Sequence, residues 1–255
     1  MMSMLAPELR HQVAAIAKSA GAAILPFFDQ QPLDIRQKAD GSPVTIADLT
    51  AHQVIVEGLQ QLQPVLPILS EEAADIPFSV RRHWRRYWLV DPLDGTKEFS
   101  RASAQFTVNI ALIEDGAPRL GVVYVPVTDR LYCGEVGVGA WCNERPIQAR
   151  PTRGEQDVVL GSRSHASAKL DDWLQQLPQD YELQAVGSSL KFCLIAEGKA
   201  DIYPRFSPTC EWDTAAGQAV AEAAGARVLT TDGRPLRYNQ HDSLINDHFI
   251  VDIDD

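Results

Sequence analysis

In the first sixty residues, apolar side chains repeat with the period of an amphipathic helix. The repeat predicts a first helix over about residues 7–28. Its apolar positions are Leu9, Val13, Ile16, Ala20 and Ile24. A second apolar series predicts another helix over about residues 46–62, and Thr45 with Asp48 three residues later forms the pattern of a capping box at its start. The chain is therefore expected to open with two helices.

The period then shortens to that of β-strands. Short apolar runs cover residues 65–69, 87–90, 106–113 and 120–125, and glycine-punctuated β structure continues over residues 131–141. Asp115-Gly116 separates two of these runs and is typical of a hairpin turn. The first two runs each end in acidic residues, which begin at Glu71 and Asp91. The middle of the chain therefore predicts a mostly antiparallel sheet with carboxylates at one edge.

The second half of the chain alternates strands and helices. Strands are expected at residues 158–160, 183–186 and 201–203, and helices at residues 166–177, 189–197 and 214–224, before closing strands. Two helices, an antiparallel sheet and an alternating segment together predict an α+β layered sandwich. We expect one compact unit: an N-terminal α+β half over residues 1–150 with most of the candidate metal ligands, and a C-terminal α/β half over residues 151–255.

Charge and cysteine usage narrow the class of protein. A net charge of −11 over 255 residues argues against binding to a nucleic-acid polymer, which normally requires a basic face. A small phosphorylated substrate is still allowed, because carboxylates can bind divalent cations that in turn bind phosphate. The four cysteines form no C-x-x-C pair and are expected to be reduced thiols.

The sequence also predicts where the protein is found. It has no run of roughly 20 apolar residues of the kind that crosses a membrane. Its first twelve residues lack the basic-then-apolar layout of a secretory signal. We therefore expect a cytoplasmic protein without a transmembrane segment. Peripheral membrane association stays open, and the sequence does not indicate the oligomeric state.

Carboxylates concentrate in three separated stretches of the chain. These are Glu71-Glu72, Asp91-Pro92-Leu93-Asp94-Gly95-Thr96 and Trp212-Asp213-Thr214-Ala215-Ala216-Gly217. Pro92 is expected to turn the chain sharply out of its strand, and Gly95 allows a positive φ. This geometry would project Asp91 and Asp94 to one side. Asp213 is expected at the start of a helix whose small residues allow close packing.

Carboxylates that converge need a counter-charge. Two of them about 4 Å apart repel by roughly 4 kcal/mol at an effective dielectric constant of about 20. Oxygen ligands without nearby His or Cys favour magnesium over zinc, and two magnesium ions about 3.5–4 Å apart would suit phosphoryl chemistry. Each acid taken alone is better explained as a helix cap or a surface residue than as a metal ligand. The combination of Asp, Pro, Gly and Thr in residues 91–96 favours a metal site.

The strings Asp91–Thr96 and Trp212–Gly217 resemble the two signatures of the inositol monophosphatase superfamily, a group of lithium-sensitive, magnesium-dependent phosphatases. Upstream matches at Glu71-Glu72 and at Pro43-Val44-Thr45 extend the likeness over nearly the whole chain. Residues 87–90, 97–99, 162–165, 187–192 and 203–206 are most similar to the bacterial 3′(2′),5′-bisphosphate nucleotidases of that superfamily. The resemblance implies an α-β-α-β-α layered fold of the sugar-phosphatase type.

The resemblance also implies a set of metal ligands. Glu71, Asp91 and the Leu93 carbonyl would bind one magnesium ion. Asp91, Asp94 and Asp213 would bind a second, with two or three ions in each active site. The role of Glu72 stays open.

Catalytic roles follow from the same likeness. Thr96, held by Asp48, would orient a water that Glu71 helps to activate for direct in-line attack, without a phosphoenzyme. The backbone amides of Gly95 and Thr96 would bind the departing phosphate, with Asp213 beside the substrate. The implied reaction is hydrolysis of 3′-phosphoadenosine 5′-phosphate to AMP and phosphate, in sulfur assimilation or nucleotide recycling. Phosphoadenylyl sulfate is a further possible substrate.

Four other residues are candidates for substrate contacts. Arg205 precedes Asp213 and carries a guanidinium suited to a second phosphate, where inositol-specific relatives carry an acid. Lys191 and Ser189 near a helix start could contact the 5′-phosphate or the ribose, and His165 could contact the nucleoside. Each of them taken alone is equally well explained as a structural or surface residue.

Three alternatives remain from the sequence. An inositol or sugar phosphatase could use the same metal site. A covalent aspartyl-phosphate phosphatase is disfavoured, because two residues separate Asp91 from Asp94 where that chemistry uses Asp-x-Asp spacing. A non-catalytic magnesium- or nucleotide-binding module would not need the Asp48–Thr96 pair. The basic run Arg81-Arg82-His83-Trp84-Arg85-Arg86 is expected to be a solvated helical face or loop with Trp84 packed inward.

Overall fold

The computed structural model describes residues 5–28, 30, 36–37, 43–162, 168–177 and 180–253, and at 36–37 and 43–44 it describes the backbone alone. The helices in these ranges are α1 (Leu9–Phe28), α2 (Ile46–Gln60), α3 (Phe78–Arg81), α4 (Thr96–Ser100), α5 (Ala168–Leu174), α6 (Leu190–Ala196) and α7 (Ala215–Ala223). The strands are β1 (Arg36–Gln37), β2 (Pro43–Val44), β3 (Ile68–Ser70), β4 (Arg86–Asp94), β5 (Thr107–Glu114), β6 (Ala117–Val125), β7 (Arg130–Glu135), β8 (Gly139–Cys142), β9 (Arg145–Ile147), β10 (Asp157–Ser162), β11 (Tyr181–Val186), β12 (Ile202–Arg205), β13 (Arg227–Thr230) and β14 (Phe249–Asp252).

The elements stack in five layers. Helices α1 and α2 cover one face of a seven-stranded sheet in the order β3-β4-β5-β6-β7-β8-β9, and α6 and α7 cover its other face. A five-stranded sheet in the order β11-β10-β12-β14-β13 forms the next layer, and α5 packs on that sheet. This arrangement is the α-β-α-β-α sandwich that the sequence predicted.

Side chains of strand β4 alternate between two cores. Tyr87 and Leu89 point into the core that contains α6, α7 and the second sheet. Trp88 and Val90 point into the core beneath α1 and α2. Because successive side chains in a strand face opposite sides, a strand covered on both faces is apolar at every position. This explains why residues 87–90 form an unbroken apolar run.

Helix α2 begins at the capping box that the sequence predicted. The Thr45 hydroxyl accepts a hydrogen bond from the Ala47 amide at 3.2 Å, and the Thr45 amide donates to Asp48 Oδ2 at 2.7 Å. The two residues therefore satisfy amide groups that would otherwise lack a partner at the helix start. Asp48 is 2% exposed, so the box also fixes a buried carboxylate near the sheet.

The predicted end of strand β4 was wrong. The strand continues through Asp91 and Pro92 to Asp94, whereas the sequence placed Asp91 after the strand. Asp91 pairs with Asn109 and Asp94 pairs with Thr107, so β4 uses one more residue than β5 between these pairs. Such a bulge accommodates a proline that has no amide hydrogen to donate. The bulge replaces the sharp exit expected at Pro92.

Helix α7 lies unusually close to the seven-stranded sheet. A Cβ atom added to Gly121 would lie 2.2 Å from the carbonyl oxygen of Ala216, and one added to Gly134 would lie 2.4 Å from Cα of Val220. Gly217 faces the Phe192 ring in the same way, at 2.5 Å. The close packing expected from Ala215-Ala216-Gly217 is therefore confirmed, and it fixes the chain that leads into α7.

The basic run at residues 81–86 is only partly a surface feature. Arg82, His83 and Arg85 are exposed, and Trp84 packs partly buried against the core as predicted. Arg81 is 1% exposed and donates to Asn239 Oδ1 at 2.5 Å and to the carbonyl of Asp242. The prediction of a solvated face was wrong for Arg81, because its partners lie about 160 residues further along the chain.

Three further expectations can be compared with the structure. All four cysteines lie in the described part of the chain, and each is a free thiol. The helices that the structure describes include none long and apolar enough to cross a membrane. Residues 131–141, expected to be glycine-punctuated β structure, form the two strands β7 and β8 joined by a turn.

Candidate active site

Most of the predicted site residues line one cleft between the two sheets, with a volume of about 200 Å³. Those on its wall are Glu71, Asp91, Leu93, Asp94, Gly95, Thr96, Ser189, Lys191, Arg205 and Asp213. Asp48 lies behind the wall and contacts Thr96. His165 lies outside the described residues. The cleft therefore joins segments from both halves of the sequence.

Strand pairing brings the acidic residues together. Strand β3 runs parallel to β4 with Ser70 opposite Val90, and the Glu71 amide donates to the Val90 carbonyl at 3.1 Å. Glu71 therefore lies beside Asp91, and the bulge in β4 brings Asp94 to the same cleft. Asp213 ends a 3₁₀ turn, Glu211–Asp213, immediately before α7, and its Oδ2 accepts from the Cys210 amide at 3.0 Å.

Without a bound cation, the charged forms of the carboxylates in the cleft are unfavourable. Burial raises the pKa of Asp91 well above its ordinary value, and the nearby Glu71, Asp94 and Asp213 raise it further. Burial, then Asp94 and Glu71, raise the pKa of Asp213 well above its ordinary value in the same way. Both causes disfavour the charged carboxylate. Bound cations would remove this penalty, because each would replace repulsion by attraction.

The donor set fits magnesium by its chemistry. The converging groups are carboxylate and carbonyl oxygens, which hard divalent cations prefer. Among the residues that the structure describes, no three His, Cys, Asp or Glu side chains are yet close enough to form a finished metal cage. A side-chain hydrogen bond between Glu71 and Asp91 also raises the pKa of Asp91.

The positive φ that the sequence predicted for Gly95 is present directly after β4. Asp91 Oδ1 accepts from the Leu93 amide at 3.0 Å, which folds the chain back within the bulge. Gly95 has φ = 96°, a left-handed conformation that favours glycine, and helix α4 starts at the next residue. A Cβ at Gly95 would also lie 3.2 Å from the carbonyl oxygen of Gln105.

Thr96 and Asp48 form the pair that the sequence predicted. The Thr96 hydroxyl donates to Asp48 Oδ1 at 3.4 Å, a long hydrogen bond, while Asp48 Oδ2 binds Thr45. Thr96 lines the cleft and Asp48 does not, so the Asp48 carboxylate binds the Thr96 hydroxyl on the side away from the cleft. A hydroxyl that donates backwards presents lone pairs toward the cleft and can accept a hydrogen bond there.

The predicted substrate residues already bind protein groups. Lys191 is 4% exposed and donates to the carbonyls of Val186 at 3.2 Å and Ser188 at 2.6 Å, and burial lowers its pKa to about 8. Arg205 donates through Nε to the Ser207 carbonyl at 3.1 Å and through Nη2 to the Pro208 carbonyl at 3.0 Å. Both cations nevertheless lie on the wall of the cleft.

Sequence reasoning missed residues around Asp94. Asn109 Nδ2 donates to Asp94 Oδ2 at 3.4 Å and to Ser189 Oγ at 2.9 Å. Gln105 Oε1 accepts from the Gly187 amide at 2.9 Å, and Glu98 lies buried against the same loop. A signal for Asn109 was present, since it is a polar residue inside the apolar run of β5. Its contact with Ser189, 80 residues away, gave no signal in the sequence.

The chain is similar to known proteins over nearly its whole length. The inositol monophosphatase family model matches residues 5–250. A protein of Escherichia coli (strain K12) named 3′(2′),5′-bisphosphate nucleotidase CysQ is 53% identical over 248 residues, which cover 95% of this chain and 98% of that protein. A protein of Haemophilus influenzae with the same name is 35% identical over 255 residues, which cover 98% of this chain and 94% of the relative.

Solved structures agree with the family model. The crystal structure of CysQ from Bacteroides thetaiotaomicron is 41% identical with a TM-score of 0.84, and the match covers 95% of this chain and 97% of that one. The SuhB protein of Bartonella henselae is 25% identical with a TM-score of 0.79, over 96% and 93% of the two chains. By sequence and by fold, the chain belongs to the inositol monophosphatase family.

Proposed function

We propose that this chain is a magnesium-dependent 3′(2′),5′-bisphosphate nucleotidase that hydrolyses adenosine 3′,5′-bisphosphate to AMP and phosphate. The observation that carries the proposal is the convergence of Glu71, Asp91, Asp94 and Asp213 on one cleft with raised pKa values at its centre. Relatives that carry this enzyme name at 51–53% identity support the choice of substrate.

The carboxylates would hold the cations. Glu71, Asp91 and the Leu93 carbonyl would bind one magnesium ion, and Asp91, Asp94 and Asp213 a second, with room for a third left open. Magnesium in such a site polarises a phosphoryl oxygen, makes a bound water more acidic and neutralises the leaving oxygen. The protein groups supply the positions, since β3, β4 and the 211–213 turn fix the ligands.

Protein groups would also direct the water and the phosphate. Asp48 accepts the hydrogen of the Thr96 hydroxyl, so the Thr96 oxygen can accept a hydrogen bond from water and orient it. Glu71 would take a proton from that water as the water oxygen bonds to phosphorus. The opposite bond, between phosphorus and the ribose 3′ oxygen, would break in line, and the 3′ oxygen would take a proton from solvent to give AMP. The backbone amides of Gly95 and Thr96 would bind the departing phosphate.

The second phosphate would select the nucleotide. Lys191 and Arg205 lie on the cleft wall and would attract the 5′-phosphate, and Arg205 can meet it with two parallel hydrogen bonds. Ser189 and His165 are further proposed contacts to the ribose and the nucleoside. By the same logic phosphoadenylyl sulfate would be a substrate, because its 5′ group is also anionic.

The proposal is tested by phosphate release from adenosine 3′,5′-bisphosphate and from inositol 1-phosphate, each with magnesium and with EDTA. We expect release from the nucleotide to exceed release from the inositol ester at least tenfold and to disappear with EDTA. A preference for the inositol ester would reject the substrate assignment. Release that persists in EDTA would reject the metal assignment.

A further inference from the structure

The Asp94 carboxylate is bound by the protein on one oxygen. Its Oδ2 accepts three hydrogen bonds, from the Ser189 amide at 2.6 Å, the Ser189 hydroxyl at 2.7 Å and Asn109 Nδ2 at 3.4 Å. Among the described residues, no hydrogen bond is directed to Oδ1. Protein donors therefore occupy Oδ2, while Oδ1 accepts no hydrogen bond from the described residues and is available to a ligand in the cleft that Asp94 lines.

The side chain of Asn109 is buried next to Asp94 and Ser189. It is 1% exposed, and its side-chain amide donates only to Asp94 and Ser189 among the described residues. Its Oδ1 is buried without a hydrogen-bond partner. The opposite orientation of the amide would place its oxygen against the Asp94 carboxylate, an acceptor against an acceptor. An uncompensated buried oxygen costs free energy, which indicates that the contact with Asp94 and Ser189 is required.

Ser189 links two segments that supply carboxylates to the cleft. Its hydroxyl carries one hydrogen and lies 2.7 Å from Asp94 Oδ2 and 2.5 Å from the main-chain carbonyl oxygen of Asp213. Asn109 donates to the same hydroxyl at 2.9 Å and so fixes the direction of its lone pairs. The hydroxyl therefore connects Asp94 of β4, which lies 95 residues before Ser189, to Asp213 in the turn before α7, which lies 24 residues after it.

We propose that Ser189 and Asn109 are positioning residues that hold Asp94 so that only Oδ1 is presented to a magnesium ion. The inference rests on the proposed function, since it needs a cation at Asp94. It gives Ser189 a task that is separate from the ribose contact predicted from the sequence. It also assigns a role to Asn109, which no motif marked.

The test measures magnesium binding directly, by isothermal titration calorimetry without substrate, for Ser189→Ala and Asn109→Leu. Leucine keeps the volume of asparagine and removes its amide. We expect Ser189→Ala to weaken magnesium binding about 10- to 100-fold, the usual effect of losing a group that orients a ligand. Asn109→Leu should weaken it less, because its bond to Asp94 is the longest of the three. Ser243→Ala, the same change at an exposed serine, should leave affinity unchanged.

Three further outcomes decide the inference. The double variant should lose less affinity than the product of the two single losses, because both groups act on one oxygen. Saturating magnesium should restore kcat in both single variants, and KM for adenosine 3′,5′-bisphosphate should stay unchanged in Asn109→Leu. Wild-type magnesium affinity in Ser189→Ala, together with a raised KM for the nucleotide, would overturn the inference and make Ser189 a substrate contact.

Failure of the proposed function would appear differently. A wild-type protein that binds magnesium but releases no phosphate would reject the nucleotidase. The calorimetric comparison of variants would still decide the role of Ser189 and Asn109. Circular dichroism and the thermal midpoint of each variant check folding, and a variant with wild-type folding and wild-type magnesium affinity would contradict the positioning role.

Discussion

At the scale of single residues, Asp94 is required for its charge more than for its shape. Asp94→Asn keeps the volume and removes the negative charge of a proposed magnesium ligand. We expect kcat/KM to fall at least about 100-fold, because an amide oxygen is a far weaker ligand for magnesium than a carboxylate. Burial raises the pKa of Asp94, so the neutral variant should unfold at an equal or higher temperature without magnesium.

Steady-state kinetics with magnesium titration, together with thermal unfolding, check this expectation. Ser243→Ala is a suitable control for purification and handling, since the residue is exposed and outside the cleft. Turnover near the wild-type value in Asp94→Asn would remove Asp94 from the set of metal ligands.

Arg205 serves two purposes that a substitution can separate. It holds the carbonyls of Ser207 and Pro208, and its guanidinium lines the cleft. We expect Arg205→Glu to raise KM for adenosine 3′,5′-bisphosphate about tenfold or more, and to affect a simple sugar phosphate far less, because only the nucleotide presents a second phosphate. Arg205→Lys keeps the charge and should lie between wild type and Arg205→Glu. Equal losses on both substrates would assign Arg205 to the loop alone.

At the scale of elements, the contact between α7 and the seven-stranded sheet has no spare room. A methyl group at Gly121 would lie 2.2 Å from the Ala216 carbonyl oxygen, which is backbone and cannot move without displacing the helix. We expect Gly121→Ala to lower the free energy of unfolding by about 1–3 kcal/mol. Activity should also fall, since Asp213 leads directly into α7.

Chemical denaturation measures the loss of stability, and phosphate release at saturating magnesium measures the loss of activity. Gly154→Ala is the matched control, because the nearest atom to its added methyl would be 3.6 Å away, at ordinary contact distance. An unfolding free energy for Gly121→Ala equal to that of Gly154→Ala would show that the close packing is not a constraint.

Local signals predicted the parts of the site that neighbouring residues determine. The capping box at Thr45 and Asp48 and the positive φ of Gly95 each depend on a few consecutive residues, so the sequence revealed them. Asn109 and Arg81 find their partners 80 and 158 residues away, and no local pattern encodes such contacts. The sharp exit expected at Pro92 was wrong, because β4 continues to pair with β5 beyond the proline through a bulge between Asp91 and Asp94. The position of such a bulge depends on the partner strand and not on the residues next to Pro92.

At the scale of the whole molecule, the concentration of negative charge in the cleft couples stability to pH and to magnesium. In the folded metal-free protein the pKa values of Asp91 and Asp213 lie well above their ordinary value of 3.8. The folded state therefore holds more protons than the unfolded state above that pH, and stability falls as pH rises through the raised pKa values.

Magnesium should reverse this trend. We expect the thermal midpoint of the metal-free protein to decrease from pH 5 to pH 8, and the increase on adding magnesium to be larger at pH 8 than at pH 5. Magnesium at about 100 times its dissociation constant should stabilise the fold by about 2.7 kcal/mol. Asp213→Asn should show a smaller pH dependence. An equal effect of magnesium at both pH values would contradict the coupling.

The most direct test of the nucleotidase assignment identifies the products formed from adenosine 3′,5′-bisphosphate in ¹⁸O-labelled water with magnesium, by mass spectrometry after a single turnover. We predict AMP, with one labelled oxygen in the inorganic phosphate and no phosphate left on the protein. Adenosine 3′-phosphate as the product, or phosphate retained on an aspartate, would contradict it.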